Sequence, residues 1–158
     1  MEKIPSFTIN HLILQPGVYL SRTDQVGETE VLTYDLRMTA PNIEPVMNTA
    51  EIHTIEHIVA TFLRNHPKHK QDVIYFGPMG CRTGFYLILT DRIKGQALLD
   101  FIREAFQFTA DFEGDIPGAT ARDCGNYLDQ NLPMAKYQAK KYIQVLDQWT
   151  DLTFTYPE

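Results

Sequence analysis

The chain has 158 residues, of which 44% are hydrophobic and 22% are charged, a size and balance typical of one soluble globular domain. Its formal net charge is −6, which argues against a nucleic-acid-binding protein because such proteins need clustered Lys and Arg. No apolar run approaches the roughly 20 residues that cross a bilayer, and the first residues lack a secretory leader. We therefore expect a cytoplasmic protein that binds neither nucleic acid nor membranes.

The first predicted elements are strands. Residues 8–14 and 18–22 have the composition of two short strands, which are separated by the turn signal Gln15-Pro16-Gly17. Residues 30–39 alternate apolar and polar side chains, as expected of a strand with one apolar face. Arg37 falls in the polar set of this strand, so we expect its side chain to point away from the apolar face.

The rest of the chain predicts three helices and two further strands. Asn48 or Thr49 can cap a helix that ends near Asn65, before Pro67. The other predicted elements are strands over 72–76 and 84–90 and helices over 95–112 and 133–149. Strands and helices do not alternate regularly, and no Gly-rich nucleotide fingerprint occurs. We predict a single α+β domain over residues 1–158, with an antiparallel β-sheet packed against helices on one side.

The first predicted helix contains the motif His53-Thr54-Ile55-Glu56-His57. Residues four apart lie on the same face of a helix, so His53 and His57 point in the same direction, as two ligands of one metal must. Glu56 adds a group that can transfer protons, as in the H-x-x-E-H pattern of metal enzymes. Two histidines at this spacing are also common as packing or surface residues, so a metal site needs a third ligand.

The two cysteines are the candidates for that ligand, because thiolate and imidazole together bind zinc or ferrous iron. Cys81 lies between Gly80 and Arg82, where it can instead serve as an exposed nucleophile or acid/base group. Either Cys81 or Cys124 can also be an inert core residue, and a cytoplasmic location disfavours a disulfide between them. Spacing alone does not rank the two cysteines.

Five segments of the chain carry a more specific signal: Ser6-Phe7-Thr8 with His11, Tyr34-Asp35-Leu36-Arg37, His53-Thr54-Ile55-Glu56-His57, Gly77-Pro78-Met79-Gly80-Cys81-Arg82-Thr83-Gly84-Phe85 and Cys124-Gly125-Asn126-Tyr127. In this order and at this spacing, the sequence resembles the S-ribosylhomocysteine lyase family, the bacterial autoinducer-2 synthesis proteins. Each segment alone is a weak signal, but the five together are highly specific. The resemblance extends from Ser6 to beyond Tyr127, over nearly the whole chain.

The resemblance implies a metal-dependent lyase that cleaves the thioether of S-ribosylhomocysteine to give homocysteine and 4,5-dihydroxy-2,3-pentanedione. It implies that His53, His57 and Cys124 hold the metal, which is usually Fe²⁺ and can be replaced by Zn²⁺ or Co²⁺. It also implies that Cys81 and Glu56 are the acid/base groups. Thioether cleavage by carbonyl migration needs both a Lewis acid and groups that move protons, so these residue types suit the reaction.

The resemblance further implies how the substrate is held and how the chain assembles. The residues that match the family's substrate-binding positions are Ser6, His11, Arg37 and Arg64. A homodimer is implied, with two shared active sites and N-terminal residues that cross to the other subunit. A cation such as Arg37 near Cys81 would favour the thiolate form.

Three positions depart from the family pattern. Asn10 and Tyr75 stand where the family usually has aspartate, and Gly77 stands where it commonly has serine. None of them matches a metal ligand or acid/base group, so we expect them to change substrate affinity rather than reaction type. At the position of Tyr75, the family aspartate can meet the ammonium group of the substrate. We hypothesise that the Tyr75 hydroxyl and ring face replace it more weakly; the alternative is a Tyr75 that points into the core.

Two other functions compete with the lyase. An inverted-zincin metallopeptidase also uses H-x-x-E-H, but its third ligand is a glutamate far downstream, and this chain has no glutamate between Glu113 and Glu158. A metal-binding domain without catalysis is the second alternative. The presence of both cysteines and of Glu56 argues against it, because loss of catalysis usually removes one such residue.

Overall fold

A computed structural model describes residues 2–158 as one antiparallel sheet with three α-helices, which confirms the predicted α+β class. A short 3-10 helix (Pro5–Phe7) precedes the sheet. The strands are β1 (Gly17–Val26), β2 (Thr29–Arg37), β3 (Val73–Pro78) and β4 (Gly84–Thr90). The helices are α1 (Thr49–Asn65), α2 (Gly95–Asp111) and α3 (Leu132–Gln148).

The strand order is β1-β2-β4-β3, and every neighbouring pair is antiparallel. β1 and β2 form a tight hairpin in which Val26 pairs with Thr29. Gly27 takes a φ of 61° in the two-residue turn between them, a backbone conformation that glycine adopts without steric cost. β2 and β4 therefore lie in the centre of the sheet, where alternate side chains reach both faces.

The helices cover one face of the sheet, and the hydrophobic core lies between the two layers. Alternating residues of β2 and β4 enter this core, namely Leu32, Tyr34, Leu36, Phe85, Leu87 and Leu89. Helix α1 adds a stripe of apolar residues at helical spacing, which includes Ile52, Ile55, Val59 and Leu63. Each fully buried side chain of this size stabilises the fold by about 1.5–3 kcal/mol.

The opposite face of the sheet, which we call the helix-free face, carries Asp35, Arg37, Tyr86 and Ile88. Cross-strand pairs join Gly77 to Tyr86, Tyr86 to Asp35 and Asp35 to Tyr19. One row of neighbouring residues therefore runs across all four strands, from Gly77 to Tyr19. Arg37 points away from the apolar core, as predicted, but only 2% of it is exposed.

Most predicted elements are confirmed to within a few residues. Helix α1 begins after Asn48, whose backbone N–H donates to Glu51 Oε1 at 2.8 Å, and such a cap satisfies a donor that the helix itself leaves free. Pro133 lies in the first turn of α3, where its missing N–H costs nothing. No helix within residues 2–158 is both long and apolar enough to cross a membrane.

The strand predicted over residues 8–14 is wrong. This segment forms turns and bends instead, and Leu12 within it is 79% exposed. A strand needs a neighbour to pair with its backbone groups, and local composition does not reveal whether a neighbour exists. The strand predicted over 72–76 runs on to Pro78, which pairs with Phe85 at the sheet edge, the position in a sheet that tolerates proline.

Candidate active site and metal centre

Helix α1 aims two histidines at one point. His53 and His57 lie one helical turn apart, and their ring nitrogens Nε2 are 3.0 Å from each other. Their ring centroids are 4.6 Å apart with nearly perpendicular planes. This arrangement follows from the four-residue spacing that the sequence shows, and it places both Nε2 atoms toward the same space outside the helix.

Cys124 completes this group from the long connection between α2 and α3. Its Sγ lies 3.4 Å from His53 Nε2. The backbone N–H of Cys124 donates to the Thr120 carbonyl at 3.0 Å, and the backbone N–H of Asn126 lies 3.5 Å from Sγ. These contacts hold the thiol in a turn that faces α1. Within residues 2–158, His53, His57 and Cys124 are the one group of potential ligands whose atoms all lie within 4.8 Å of one another.

Backbone carbonyls fix the tautomers of both histidines. His53 Nδ1 lies 2.8 Å from the Asp129 carbonyl oxygen, and His57 Nδ1 lies 2.7 Å from the Pro117 carbonyl oxygen. A carbonyl only accepts, so each Nδ1 carries the proton and each Nε2 presents a lone pair. Two lone pairs 3.0 Å apart repel each other unless a cation lies between them. A ring whose other nitrogen donates to a backbone carbonyl is the usual form of a metal-ligating histidine.

The donor set fits a tetrahedral metal with an open position. Tetrahedral bonds of about 2.0–2.1 Å to nitrogen and 2.3 Å to sulfur put neighbouring ligand atoms roughly 3.3–3.6 Å apart. The separations of 3.0 Å between the histidine nitrogens and 3.4 Å from His53 to Cys124 lie close to this range. Three protein ligands are typical of a catalytic rather than a structural site, and imidazole with thiolate suits Zn²⁺ or Fe²⁺.

Cys81 belongs to a second group of residues, in the turn between β3 and β4. Its side chain is exposed, and both cysteines are free thiols. The turn is closed by a hydrogen bond from the Arg82 N–H to the Met79 carbonyl at 3.0 Å. The Arg82 carbonyl in turn accepts from the Met47 N–H at 3.1 Å. The Cys81 turn is therefore fastened to the segment that leads into α1.

Side chains buried on the helix-free face contact the sulfur of Cys81. Arg37 binds Asp35 with two nitrogens, Nε to Oδ1 at 3.1 Å and Nη2 to Oδ2. Its third nitrogen, Nη1, donates to Thr83 Oγ1 at 2.7 Å and lies 3.9 Å from Cys81 Sγ. Thr83 Oγ1 is itself 3.1 Å from Cys81 Sγ. A guanidinium and a hydroxyl therefore lie beside the sulfur, and both groups can donate hydrogen bonds.

The ion pair between Arg37 and Asp35 is strongly desolvated, since almost none of either side chain is exposed. Burial raises the pKa of Asp35, while the Arg37 guanidinium and the Tyr156 hydroxyl oppose this rise. The carboxylate of Asp35 raises the pKa of Arg37 against the effect of burial. The sequence predicts that Arg37 binds substrate. In the structure its Nε and Nη2 bind Asp35, and Nη1 both donates to Thr83 and lies beside Cys81.

Within residues 2–158, the other predicted site residues form no hydrogen bond with the metal-ligand group or with the residues around Cys81. Glu56 is half-buried on α1 and forms no hydrogen bond or ion pair with any residue in the range 2–158. Arg64 is exposed and donates from Nη2 to the Ile74 carbonyl at 2.9 Å. Ser6 lines a pocket of about 420 Å³ on the helix-free face. His11 bonds through Nδ1 to the Ile9 carbonyl at 2.9 Å.

Tyr75 and Gly77, the two residues of β3 that depart from the family pattern, are in contact with each other. A Cβ placed on Gly77 would lie 1.9 Å from the Tyr75 hydroxyl oxygen, so the ring of Tyr75 occupies the space that any side chain at 77 would need. Tyr75 is 46% exposed, which excludes the alternative that it points into the core. Because Gly77 pairs with Tyr86, the Tyr75 ring reaches the same sheet face as Asp35.

Comparisons with known proteins agree with this geometry. A family model described as S-ribosylhomocysteinase (LuxS) matches residues 4–152. Over its full length the chain is 60% identical to the S-ribosylhomocysteine lyase of Clostridium acetobutylicum, and the match also covers 100% of that protein. The chain belongs to the S-ribosylhomocysteine lyase family. It is therefore an enzyme of the carbon–sulfur lyase class, which leaves the metallopeptidase alternative without support.

Other members of the S-ribosylhomocysteine lyase family match along the whole chain as well. The protein from Clostridium beijerinckii is 59% identical over 99% of both chains. The protein from Porphyromonas gingivalis is 50% identical over 100% of both. The residues missed by sequence reasoning are the ones that support the site, namely Thr83, the Asp129 and Pro117 carbonyls and Tyr156. Backbone carbonyls leave no trace in a sequence. Thr83 lies within one of the five family segments, which gave it no role, and Tyr156 lies outside all five.

The ligand geometry predicts the metal content of two cysteine variants. We expect one divalent ion per chain, and we expect Cys124→Ala to lose most of it on dialysis because one of three donors is gone. Elemental analysis after dialysis measures this. Cys81→Ala is the matched control and should keep its metal, since Cys81 Sγ contacts Thr83 and Arg37. Full metal in Cys124→Ala would refute the ligand set, and loss only in Cys81→Ala would mean that the two cysteines exchange roles.

Proposed function

We propose that this lyase cleaves the thioether of S-ribosylhomocysteine to homocysteine and 4,5-dihydroxy-2,3-pentanedione, the autoinducer-2 precursor. The observation that carries the proposal is the convergence of two Nε2 lone pairs and one sulfur, with both tautomers fixed by carbonyls. Breaking a carbon–sulfur bond without activating the leaving group requires negative charge on the adjacent carbon. The carbonyl therefore migrates along the ribose by proton transfers before thiolate leaves by β-elimination.

The site has the parts for this chemistry. A ferrous ion held by His53, His57 and Cys124, or zinc or cobalt in its place, would supply a Lewis acid for the negative charge that develops on sugar oxygens. The two carbonyls bound to the histidine rings keep both Nε2 lone pairs aimed at that ion. The turn around Cys124 places its sulfur 3.4 Å from His53 Nε2, so the three ligands are already close together in the protein.

Cys81 takes and returns protons on one side of the sugar in this proposal. Its sulfur is exposed, so it can reach a substrate carbon. Arg37 Nη1 stabilises the thiolate that abstracts a proton, and Thr83 Oγ1 holds the sulfur in position. Proton transfer by one well-placed group typically accelerates a step by about 10²–10⁴-fold.

Glu56 is the second acid/base group. It has no hydrogen-bond or ion-pair partner among residues 2–158, so its carboxylate is free to exchange protons with substrate. It follows His53 by three positions on α1, close to the metal ligands along the helix. Carbonyl migration moves protons at more than one carbon, and two bases in different positions serve these steps. The reaction also needs both cysteines reduced rather than joined in a disulfide, a state that the reducing cytoplasm maintains.

A homodimer would complete the site. The 3-10 helix that carries Ser6 packs against β1 and against no other helix or strand within residues 2–158. Apolar side chains in this helix and in the turn after it face solvent, with Phe7 68% and Leu12 79% exposed. Such exposure is typical of an interaction surface. A two-fold partner is the commonest way to cover such a segment. We propose that Ser6 and His11 serve the active site of the other subunit.

The acid/base assignment predicts activity loss without metal loss. Cys81→Ala and Glu56→Gln should each lower turnover of S-ribosylhomocysteine by about 10²–10⁴-fold, measured as homocysteine released under substrate excess. Metal content and Tm should stay unchanged. Glu28→Gln is the control, because Glu28 is exposed in the β1–β2 turn. Near-normal turnover in Cys81→Ala would refute the mechanism, and absent turnover in metal-loaded wild-type protein would favour a binding domain.

The exposure of Tyr75 predicts the sign of a binding change. Tyr75→Asp should lower KM about tenfold with kcat little changed, because a carboxylate meets the substrate ammonium better than a phenol does. An exposed position imposes no burial cost on the new charge, so Tm should hold. A KM that stays the same or rises would show that another group binds the ammonium.

The shared site predicts rescue between inactive subunits. His11→Ala and Glu56→Gln homodimers should both be nearly inactive. If the two residues serve one site from different subunits, each mixed dimer contains one intact site, and a random mixture recovers about a quarter of wild-type activity. Subunits are exchanged under mild denaturant and assayed for homocysteine release. No recovery, or full activity of a sedimenting monomer of 18.2 kDa, would refute the shared site.

A further inference from the structure

The C-terminal segment, residues 153–158, lies beyond the range 4–152 that the family model matches. It contacts Asp35, which binds the Arg37 guanidinium beside Cys81. Phe154 anchors the segment, since it is 2% exposed and packs edge-on against Tyr34 with ring centroids 5.7 Å apart. Its carbonyl accepts from the Leu20 N–H at 2.7 Å. Phe154 adopts a φ of 57°, an unfavourable conformation for an aromatic residue that persists only where surrounding contacts impose it.

This anchor delivers Tyr156 to the helix-free face. Tyr156 Oη donates to Asp35 Oδ2 at 2.8 Å. Its ring stacks on Tyr19 with centroids 4.8 Å apart and an angle of 10° between the planes. The Tyr19 hydroxyl donates to the Gln15 carbonyl at 2.9 Å, so the two stacked phenols have separate partners. Burial and the Asp35 carboxylate raise the pKa of Tyr156, which keeps its hydroxyl protonated as a donor.

The hydrogen bond from Tyr156 adds a third donor to a buried carboxylate. Asp35 has no exposed surface, so no solvent can replace a donor that is lost. Its remaining donors are Arg37 Nε and Nη2. The same guanidinium carries Nη1, which contacts Thr83 and lies 3.9 Å from Cys81 Sγ. The Asp35 carboxylate therefore helps to fix the position of the positive charge beside the thiol.

We propose that Tyr156 is a positioning residue for Cys81, which acts by holding Asp35 and, through it, the Arg37 guanidinium. The path runs from Tyr156 Oη through the Asp35 carboxylate and the Arg37 guanidinium to Cys81 Sγ. Tyr156 touches neither the sulfur nor any metal ligand. The effect on Cys81 reactivity stands by itself, whereas the effect on turnover rests on the proposed acid/base function of Cys81.

The reactivity of Cys81 tests this inference in the metal-loaded protein. Tyr156→Phe removes the hydroxyl but keeps the ring that stacks on Tyr19. Iodoacetamide alkylation at neutral pH is followed peptide by peptide with mass spectrometry, so Cys81 and Cys124 are read separately. We expect the Cys81 rate to fall about fivefold, the effect of one hydrogen bond of ~1 kcal/mol. The Cys124 rate should not change.

Tyr19→Phe is the matched control. It removes the neighbouring hydroxyl, which bonds the Gln15 carbonyl, and it should leave the Cys81 alkylation rate unchanged. On S-ribosylhomocysteine, Tyr156→Phe should lower kcat by a similar factor with little change in KM. A lower Tm in Tyr156→Phe with unchanged Cys81 alkylation would overturn the inference and leave the segment a purely structural role. Absent turnover in the wild type would refute the proposed function instead, while the alkylation comparison would still decide this inference.

Discussion

The buried ion pair of Asp35 and Arg37 is the interaction on which the helix-free face depends. It ties the end of β2 to Thr83 and the Cys81 turn on one side and to Tyr156 of the C-terminal segment on the other. Such a pair adds little net stability, because desolvating two charges offsets most of their attraction, but removing one partner costs about 3–5 kcal/mol. The charged pair also bonds Thr83 and Tyr156 and reaches Cys81, contacts that apolar side chains of similar volume would not make.

The candidate metal centre is built differently, from one rigid helix and one long connection. Helix α1 sets the spacing of His53 and His57, and the packed core behind α1 keeps the helix in place. The connection between α2 and α3 supplies the sulfur of Cys124 and both carbonyls that fix the histidine tautomers. Metal affinity should therefore depend on how well this connection is ordered, since three of the five groups that define the centre come from it.

These two groups divide the chemistry of the proposed reaction. In that reaction, the ligands on α1 and on the connection between α2 and α3 would stabilise charge, and the residues around Arg37 would control the proton-transfer group Cys81. No hydrogen bond or ion pair within residues 2–158 connects one group with the other. They can therefore be perturbed separately, and variants of one group have independent readouts in metal content and thiol reactivity.

Local patterns in the sequence determined the helices, the strand that carries Arg37 and the shared direction of His53 and His57, because periodicity and capping act over a few residues. The ranking of Cys124 over Cys81 as a ligand came only from family resemblance, since spacing does not measure distance in space. Tertiary structure alone decided the rest. Residues 8–14 have no partner strand, and Arg37 is buried against Asp35. The Tyr75 ring lies over Gly77, and Tyr156 bonds Asp35 across 121 positions of the chain. Contacts between residues so far apart depend on how the sheet and its C-terminal segment pack, and no local pattern records that packing.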